Sequence, residues 1–377
     1  MKIIIGGDVV PTPNNYELFI DGKVTELIGD ELAAIWNTSD IRIFNLETPI
    51  VDKSDPIDKC GPNLMAPKST IKGIKALNPS LLTLANNHIL DQNIQGMYST
   101  INLLNCNNIS YVGVGKDLNE AIQPYIIEKN GIKIGVYACA EHEFSIATKS
   151  RPGVNPFDPL ESPDHIYELK KKCDFIIVLY HGGKEHYRYP SPYLQKVCKK
   201  LVDKGADIIV CQHSHCIGCY EEYKGSTIIY GQGNFIFNKY DNEFWNNGML
   251  VEITIDKESY HVNYIPFEKV ENKIRLAKGE KAKEILHGFK QRSFEIKENQ
   301  NIVEEKYLEF AQKMILNYLY SLSGFGKWLS RVDRKLLKNF LLKRLYNKQK
   351  LLAIQNYIEC EAHRELVITG LKSIKSN

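Results

Sequence analysis

Asp207-Ile-Ile-Val-Cys-Gln-His213-Ser-His215 is a short apolar, β-branched run that ends in two imidazoles. Four other runs repeat the plan: Lys2-Ile-Ile-Ile-Gly-Gly into Asp8, Ile41-Arg-Ile-Phe-Asn-Leu into Glu47, Leu81-Leu-Thr-Leu-Ala-Asn into Asn87-His88, and Phe175-Ile-Ile-Val-Leu-Tyr into His181. Runs of this length and composition read as buried strands. In an open α/β sheet, ligands bind just beyond the carboxyl ends of the strands. Two carboxylates, one amide and four imidazoles brought to that edge have the chemistry of a divalent-metal site. The fold class is therefore α/β. His213 and His215, two apart on an extended chain, are expected to point the same way and each to serve a different metal.

The rest of the chain fits an ordinary globular protein. Its 377 residues are 43% hydrophobic and 25% charged, enough for a full α/β core and a second unit. A net charge of +3 gives no global case for nucleic acid, which is not expected as a partner. Nine cysteines, an odd number spread through strands and helices, read as reduced thiols rather than a disulfide framework. The apolar start is too short for a signal or membrane segment, so a cytoplasmic location is expected, with docking at the inner membrane face left open.

Between the strands, helices are expected over 26–37, 69–77, from 91 to about 104, 164–172 and 192–204, and Asn130-Gly131 marks a hairpin turn. From about residue 270 the chain reads as charged helices without strand signals. The expected division is a catalytic domain over 1–270 and a helical extension over 271–377.

In order, Asp8, Glu47, Asn87-His88, His181-Gly182 and His213-Ser-His215 resemble the motifs of the calcineurin-like metallophosphoesterase superfamily. Asn45-Leu-Glu-Thr-Pro49, Leu84-Ala-Asn-Asn-His-Ile-Leu-Asp91, His181-Gly-Gly-Lys-Glu185 and Tyr230-Gly-Gln-Gly-Asn-Phe-Ile-Phe237 narrow the likeness to the CapA branch, associated with poly-γ-glutamate capsule synthesis. The resemblance covers about residues 1–240. It implies a four-layer α/β/β/α sandwich holding one or two divalent metal ions, with Mn, Fe or Zn suited to the mixed N/O donors. Asp8 and His215 would hold the first metal, Glu47 would bridge, and Asn87, His181 and His213 would hold the second. His88, oriented by Asp91, would be the catalytic proton donor. Val10 stands where the wider superfamily has a histidine, so the first metal is short of a ligand unless water, His186 or His142 supplies it. Gln212 stands where the last motif has a glycine.

The resemblance implies a metal-dependent hydrolase, foremost a phosphoesterase acting on an intermediate of capsule or surface-polymer synthesis. Two other readings stay open: an amide hydrolase processing poly-γ-glutamate, and a non-catalytic accessory of anionic-polymer synthesis or export. Lys184, Glu185, His186, Arg188 and His142 are candidates to line a pocket for an anionic small molecule or polymer. A membrane-associated synthesis complex is a further expected partner. The basic residues between Arg331 and Lys350, interleaved with Leu336, Leu337, Phe340, Leu341 and Leu345, read as an amphipathic helix packed on the main domain with a solvated basic face, and contact with anionic lipid headgroups, an acidic polymer or nucleic acid stays open.

Overall fold

The Phe175–Tyr180 run becomes a strand, β9 (Phe175–His181), and its alternating side chains divide the core in two. Phe175, Ile177 and Leu179 join one apolar cluster, while Ile176, Val178 and Tyr180 join another with side chains of α7 (Ser162–Lys170) and α8 (Pro192–Asp203). The structure, a computed structural model, describes residues 1–256 and 259–375.

Beside β9 lie β10 (Ile208–Gln212) and β7 (Ile132–Ala140), both parallel to it. The sheet is completed by β12 (Ser226–Ile229), β11 (Tyr220–Tyr223) and β6 (Tyr125–Lys129), in the order β11-β12-β10-β9-β7-β6. The facing sheet has the order β16-β15-β14-β1-β2-β3-β4, with β13 on the upper half of β1. Its strands are β1 (Lys2–Val10), β2 (Ile41–Leu46), β3 (Leu81–Thr83), β4 (Tyr111–Val112), β13 (Ile236–Phe237), β14 (Asn247–Ile255), β15 (Tyr260–Val270) and β16 (Lys273–Leu276). A small pair, β5 (Val114–Gly115) with β8 (Gly153–Val154), stands apart.

Outside the β1-containing sheet pack α1 (Tyr16–Asp21), α2 (Val24–Ile28), α3 (Asp30–Asn37), α4 (Ile71–Ala76) and α5 (Asn93–Cys106), whose buried side chains belong to the same cluster as its strands. Trp36 of α3 lies 5.0 Å from the Phe235 ring and donates its indole N–H to Leu77 O at 2.7 Å. The layers are thus α/β/β/α, as the resemblance implied. A one-turn helix, α6 (Leu118–Ala121), precedes β6.

Two local expectations are corrected. The helix expected over 26–37 is broken at Gly29, whose φ of 78° and ψ of 152° are unhelical. Arg275 of β16 fills the gap and donates to Glu26 O at 3.0 Å, using a carbonyl freed by the break. The same strand overturns the absence of strands beyond 270. Lys273-Ile-Arg-Leu276 pairs antiparallel with β15 and buries Ile274, and its charged side chains disguise it as a polar segment.

The described chain divides into two compact units, Met1–Tyr307 and Leu308–Asn377. The first takes in α9 (Gly279–Glu298), whose Phe289 packs 4.7 Å from the Tyr264 ring. The second draws on α10 (Ile302–Leu322), α11 (Lys327–Lys335), α12 (Phe340–Leu345), α13 (Lys348–Glu359) and α14 (Glu361–Lys375). Its small core is Leu319, Tyr320 and Leu342.

One bulge positions the chemistry. Register between β1 and β2 shifts between Ile5 and Asp8, across Gly6-Gly7. A Cβ on Gly7 would lie 2.1 Å from the carbonyl oxygen of Gly233, so no larger residue fits beside that backbone. Gly7→Ala is expected to destabilise by about 3 kcal/mol or more, read as a lower urea midpoint. An unchanged midpoint would mean the bulge can relax.

Candidate metal centre

The carboxyl ends of β1, β2, β9 and β10 meet between the two sheets, and each contributes a buried polar residue. Asp8 is 1% exposed, Glu47 0%, His181 2%, His213 7% and His215 6%. Burying such groups is costly unless each has a partner. Asn45, on the same face of β2 as Ile43, donates to Asp8 Oδ1 at 2.8 Å and lies 3.2 Å from His181 Nδ1. His181 Nε2 is approached by Glu47 Oε1 at 3.2 Å, Asn87 Oδ1 at 3.1 Å and His213 Nδ1 at 3.2 Å. His215 Nδ1 lies 3.5 Å from Asp8 Oδ2 and 2.8 Å from Asn234 Oδ1.

Glu47 is the exception. Neither of its buried carboxylate oxygens has a well-aligned hydrogen bond among the described residues, and the His181 contact at 3.2 Å is the one ion pair offered to them. Two ligand groups share this residue, Glu47–His181–His213 and Asp8–Glu47–His215, and within each the donor atoms lie within 4.8 Å of one another. A buried carboxylate with both oxygens unsatisfied, at the junction of two N/O donor triads, fits divalent ions. The orphaned oxygens and the donor set both suit such ions.

The electrostatics agree. Burial works against charge on Asp8, but the His215 hydrogen bond and the charges of His181 and His215 hold its carboxyl below the usual range. Burial also opposes protonation of His215, yet the Asp8 hydrogen bond and the Glu47 charge push it up to about 9. His181 is raised against its burial by Glu47. His213 is driven well below its ordinary value, first by burial and then by the charges of His181 and His215, so its imidazole is neutral and ready to ligate.

His213 and His215 do reach different triads, but not along an extended strand. Their φ angles are 88° and 54°, in the left-handed region that favours glycine. The loop after β10 therefore turns each ring separately. Such strain is a recurrent mark of functional loops.

The structure brings His88 and Asp91 together, with Nδ1 to Oδ2 at 2.5 Å. Asn87 donates to Glu143 Oε2 at 2.8 Å, which leaves its Oδ1 facing His181. Val10 packs with Phe237 and Trp245, so an apolar cluster occupies the position of the expected extra ligand. Among the described residues neither His186 nor His142 joins the triads. His142 is exposed, and His186 Nε2 accepts the Trp245 indole N–H at 2.8 Å. Gln212 ties the sheets together by donating to Gly6 O at 3.2 Å. Lys184 and Glu185 are exposed. Arg188 is half-buried, donates to Ile217 O at 3.0 Å and covers the Phe244 ring.

Sequence reasoning missed Lys59. Its side chain is 1% exposed, its ammonium bonds Asp91 Oδ1, and it stands 3.2 Å from His88 Nδ1. Nothing in the polar 51–68 loop singled it out from Lys53 and Lys68. Asn45 and Asn234 lay inside quoted motifs but carried no assigned role. A crevice of about 1030 Å³, lined by residues such as Asp174, Tyr220, Glu222 and Tyr260, contains none of these groups.

Residues 2–239 match the family described as bacterial capsule synthesis protein PGA_cap. The chain belongs to that family. A PGA biosynthesis protein CapA of Bacillus subtilis is 33% identical over 227 residues, 58% of this chain and 60% of the relative. A capsule biosynthesis protein CapA of Bacillus anthracis is 31% identical over 225 residues, 57% of this chain and 54% of the relative. The chain thus spans little more than half the length of these relatives. A solved phosphatase of Mycoplasma pneumoniae aligns at 15% identity and a TM-score of 0.43, covering 71% of this chain and 92% of that one. The PGA_cap match contains every residue of both triads, and the C-terminal helices lie beyond it.

Proposed function

We propose that this PGA_cap protein is a divalent-metal-dependent hydrolase that cleaves a phosphoester in an intermediate of capsule or surface-polymer synthesis. The observation that carries the reading is Glu47, with two unsatisfied oxygens shared by two triads. Asp8 and His215 would hold one ion and His181, His213 and Asn87 another, with Glu47 within reach of both. The mixed donors favour Mn, Fe or Zn over Ca or Mg. Bound there, such ions supply Lewis acidity to a phosphoryl oxygen and make water more acidic.

The chain's own residues do the rest. Asp91 holds His88 through Nδ1, which leaves Nε2 to give a proton to the departing oxygen. Lys59 and the Leu64 N–H, the latter at 2.6 Å, fix the Asp91 carboxylate. Glu143 orients the Asn87 amide. Lys184, whose charge is felt at His213, and Arg188 suit an anionic substrate at the rim.

Protein loaded with Mn, Fe or Zn should release phosphate from chromogenic esters or sugar phosphates. Release of glutamate from poly-γ-glutamate without phosphatase activity would replace the phosphoester with an amide. Inertness towards both substrate classes with every metal would sink the enzymatic reading. His88→Gln is expected to lower kcat by roughly 10²–10⁴ while metal content stays the same. A variant with parental kcat would remove His88 from the reaction.

A further inference from the structure

The charge of the chain is unevenly divided. Residues 308–377 carry thirteen Lys and Arg against five Asp and Glu, a net of +8, which leaves −5 for residues 1–307 of a chain totalling +3. The imbalance is sharpest from Lys327 to Lys350, where nine basic residues accompany one acid, Asp333. All nine basic residues are exposed, and none forms an ion pair among the described residues.

The lone acid is withdrawn from the surface. Asp333 is 0% exposed and accepts from Tyr320 Oη at 2.8 Å, Leu341 N at 2.9 Å and Leu342 N at 3.0 Å. Those bonds tie α11 to the start of α12 and fix the turn between them, where Lys338 and Asn339 take left-handed φ angles of 50° and 63°. The turn holds Leu336 (74% exposed), Leu337 and Phe340 in solvent beside Lys335 and Lys338. Trp328, on α11, is 76% exposed. A hydrogen-bonded turn that displays large apolar side chains among cations without ion pairs differs from an ordinary solvated helix face.

We propose that α11, the following turn and α12 form a docking surface for a bilayer of anionic lipids. The cations meet the headgroups, and Trp328, Leu336 and Phe340 enter the boundary with the acyl chains. A second copy of this unit would bring like charge against like charge. A soluble polyanion would satisfy the cations but leave the apolar side chains in water. No helix among the described residues is long and apolar enough to cross a membrane. The proposal does not depend on the hydrolase reading.

Tryptophan fluorescence of the full chain gives a direct test. Of its three Trp residues, Trp36 and Trp245 are 0% and 5% exposed, so soluble quenchers report Trp328. Phosphatidylcholine vesicles containing phosphatidylglycerol should shield Trp328 and shift its emission to the blue. They should bind at least about tenfold tighter than pure phosphatidylcholine, and added salt should weaken the binding. Arg331→Gln/Lys335→Gln/Lys338→Gln should lose the preference for anionic vesicles. Leu336→Ser/Phe340→Ser, changed only at exposed positions, should keep its circular dichroism and bind several-fold more weakly. Equal binding to neutral vesicles, no binding, or binding to soluble poly-γ-glutamate with Trp328 still quenchable on the vesicles would each overturn the proposal.

Discussion

Glu47→Gln should yield a folded protein that retains neither ion and has lost hydrolysis. The substitution keeps the shape of the side chain, removes its negative charge and replaces one of its two oxygens with an amide nitrogen that cannot ligate. Glu47 belongs to both triads, so one change weakens both positions. Outer-sphere partners of metal ligands are worth about 10–100-fold in affinity, and a bridging ligand should cost at least the upper end of that range. Two readouts separate this from misfolding. Metal at about a hundred times its dissociation constant should stabilise the parent by about 2.7 kcal/mol, seen as a rise in melting temperature that the variant lacks. Circular dichroism of the two metal-free proteins should superimpose, because the backbone N–H of Glu47 still donates to Val9 O at 3.1 Å and its carboxylate makes no well-aligned hydrogen bond that the amide would lose. A variant that kept its bound metal and full turnover would refute the bridging role.

How legible this was depended on the range of the interactions. The frame followed from local patterns: β9 and β10 are apolar runs of one period, and the residues just past them face the gap between sheets. The six ligand candidates shared that cue, and the structure gathers them. Lys59 did not, because its role depends on a loop that returns across 32 residues to Asp91. The break at Gly29 was hidden for the same reason, since Arg275, almost 250 positions away, answers the freed carbonyl. The expected extended pair at His213 and His215 failed on backbone conformation, which alternation does not encode. Val10 was visible as a departure, but that it packs into an apolar cluster with Phe237 and Trp245 could be seen only in three dimensions.

Metal affinity should rise steeply with pH through neutrality, and His215 sets the upper limit. In the metal-free protein its imidazole holds a proton up to about pH 9, because the Asp8 hydrogen bond and the Glu47 charge overcome its burial. A metal must displace that proton. One proton released per ion gives an apparent affinity that climbs about tenfold per pH unit below pH 9 and levels above it. His181, also raised, adds to the slope at the second position, whereas His213 is already neutral and adds nothing. The linkage to stability has the opposite sign. His215 is raised above its unfolded value of 6.5, so its contribution, roughly 3 kcal/mol, is complete below pH 6.5 and lost as pH rises towards 9. Metal-free protein should therefore weaken over the interval in which metal binding strengthens. Chemical denaturation with chelator and with metal, from pH 6 to 9, would show the two curves diverging. Parallel curves would mean that His215 holds no proton for the metal to displace, and would remove it from the first position.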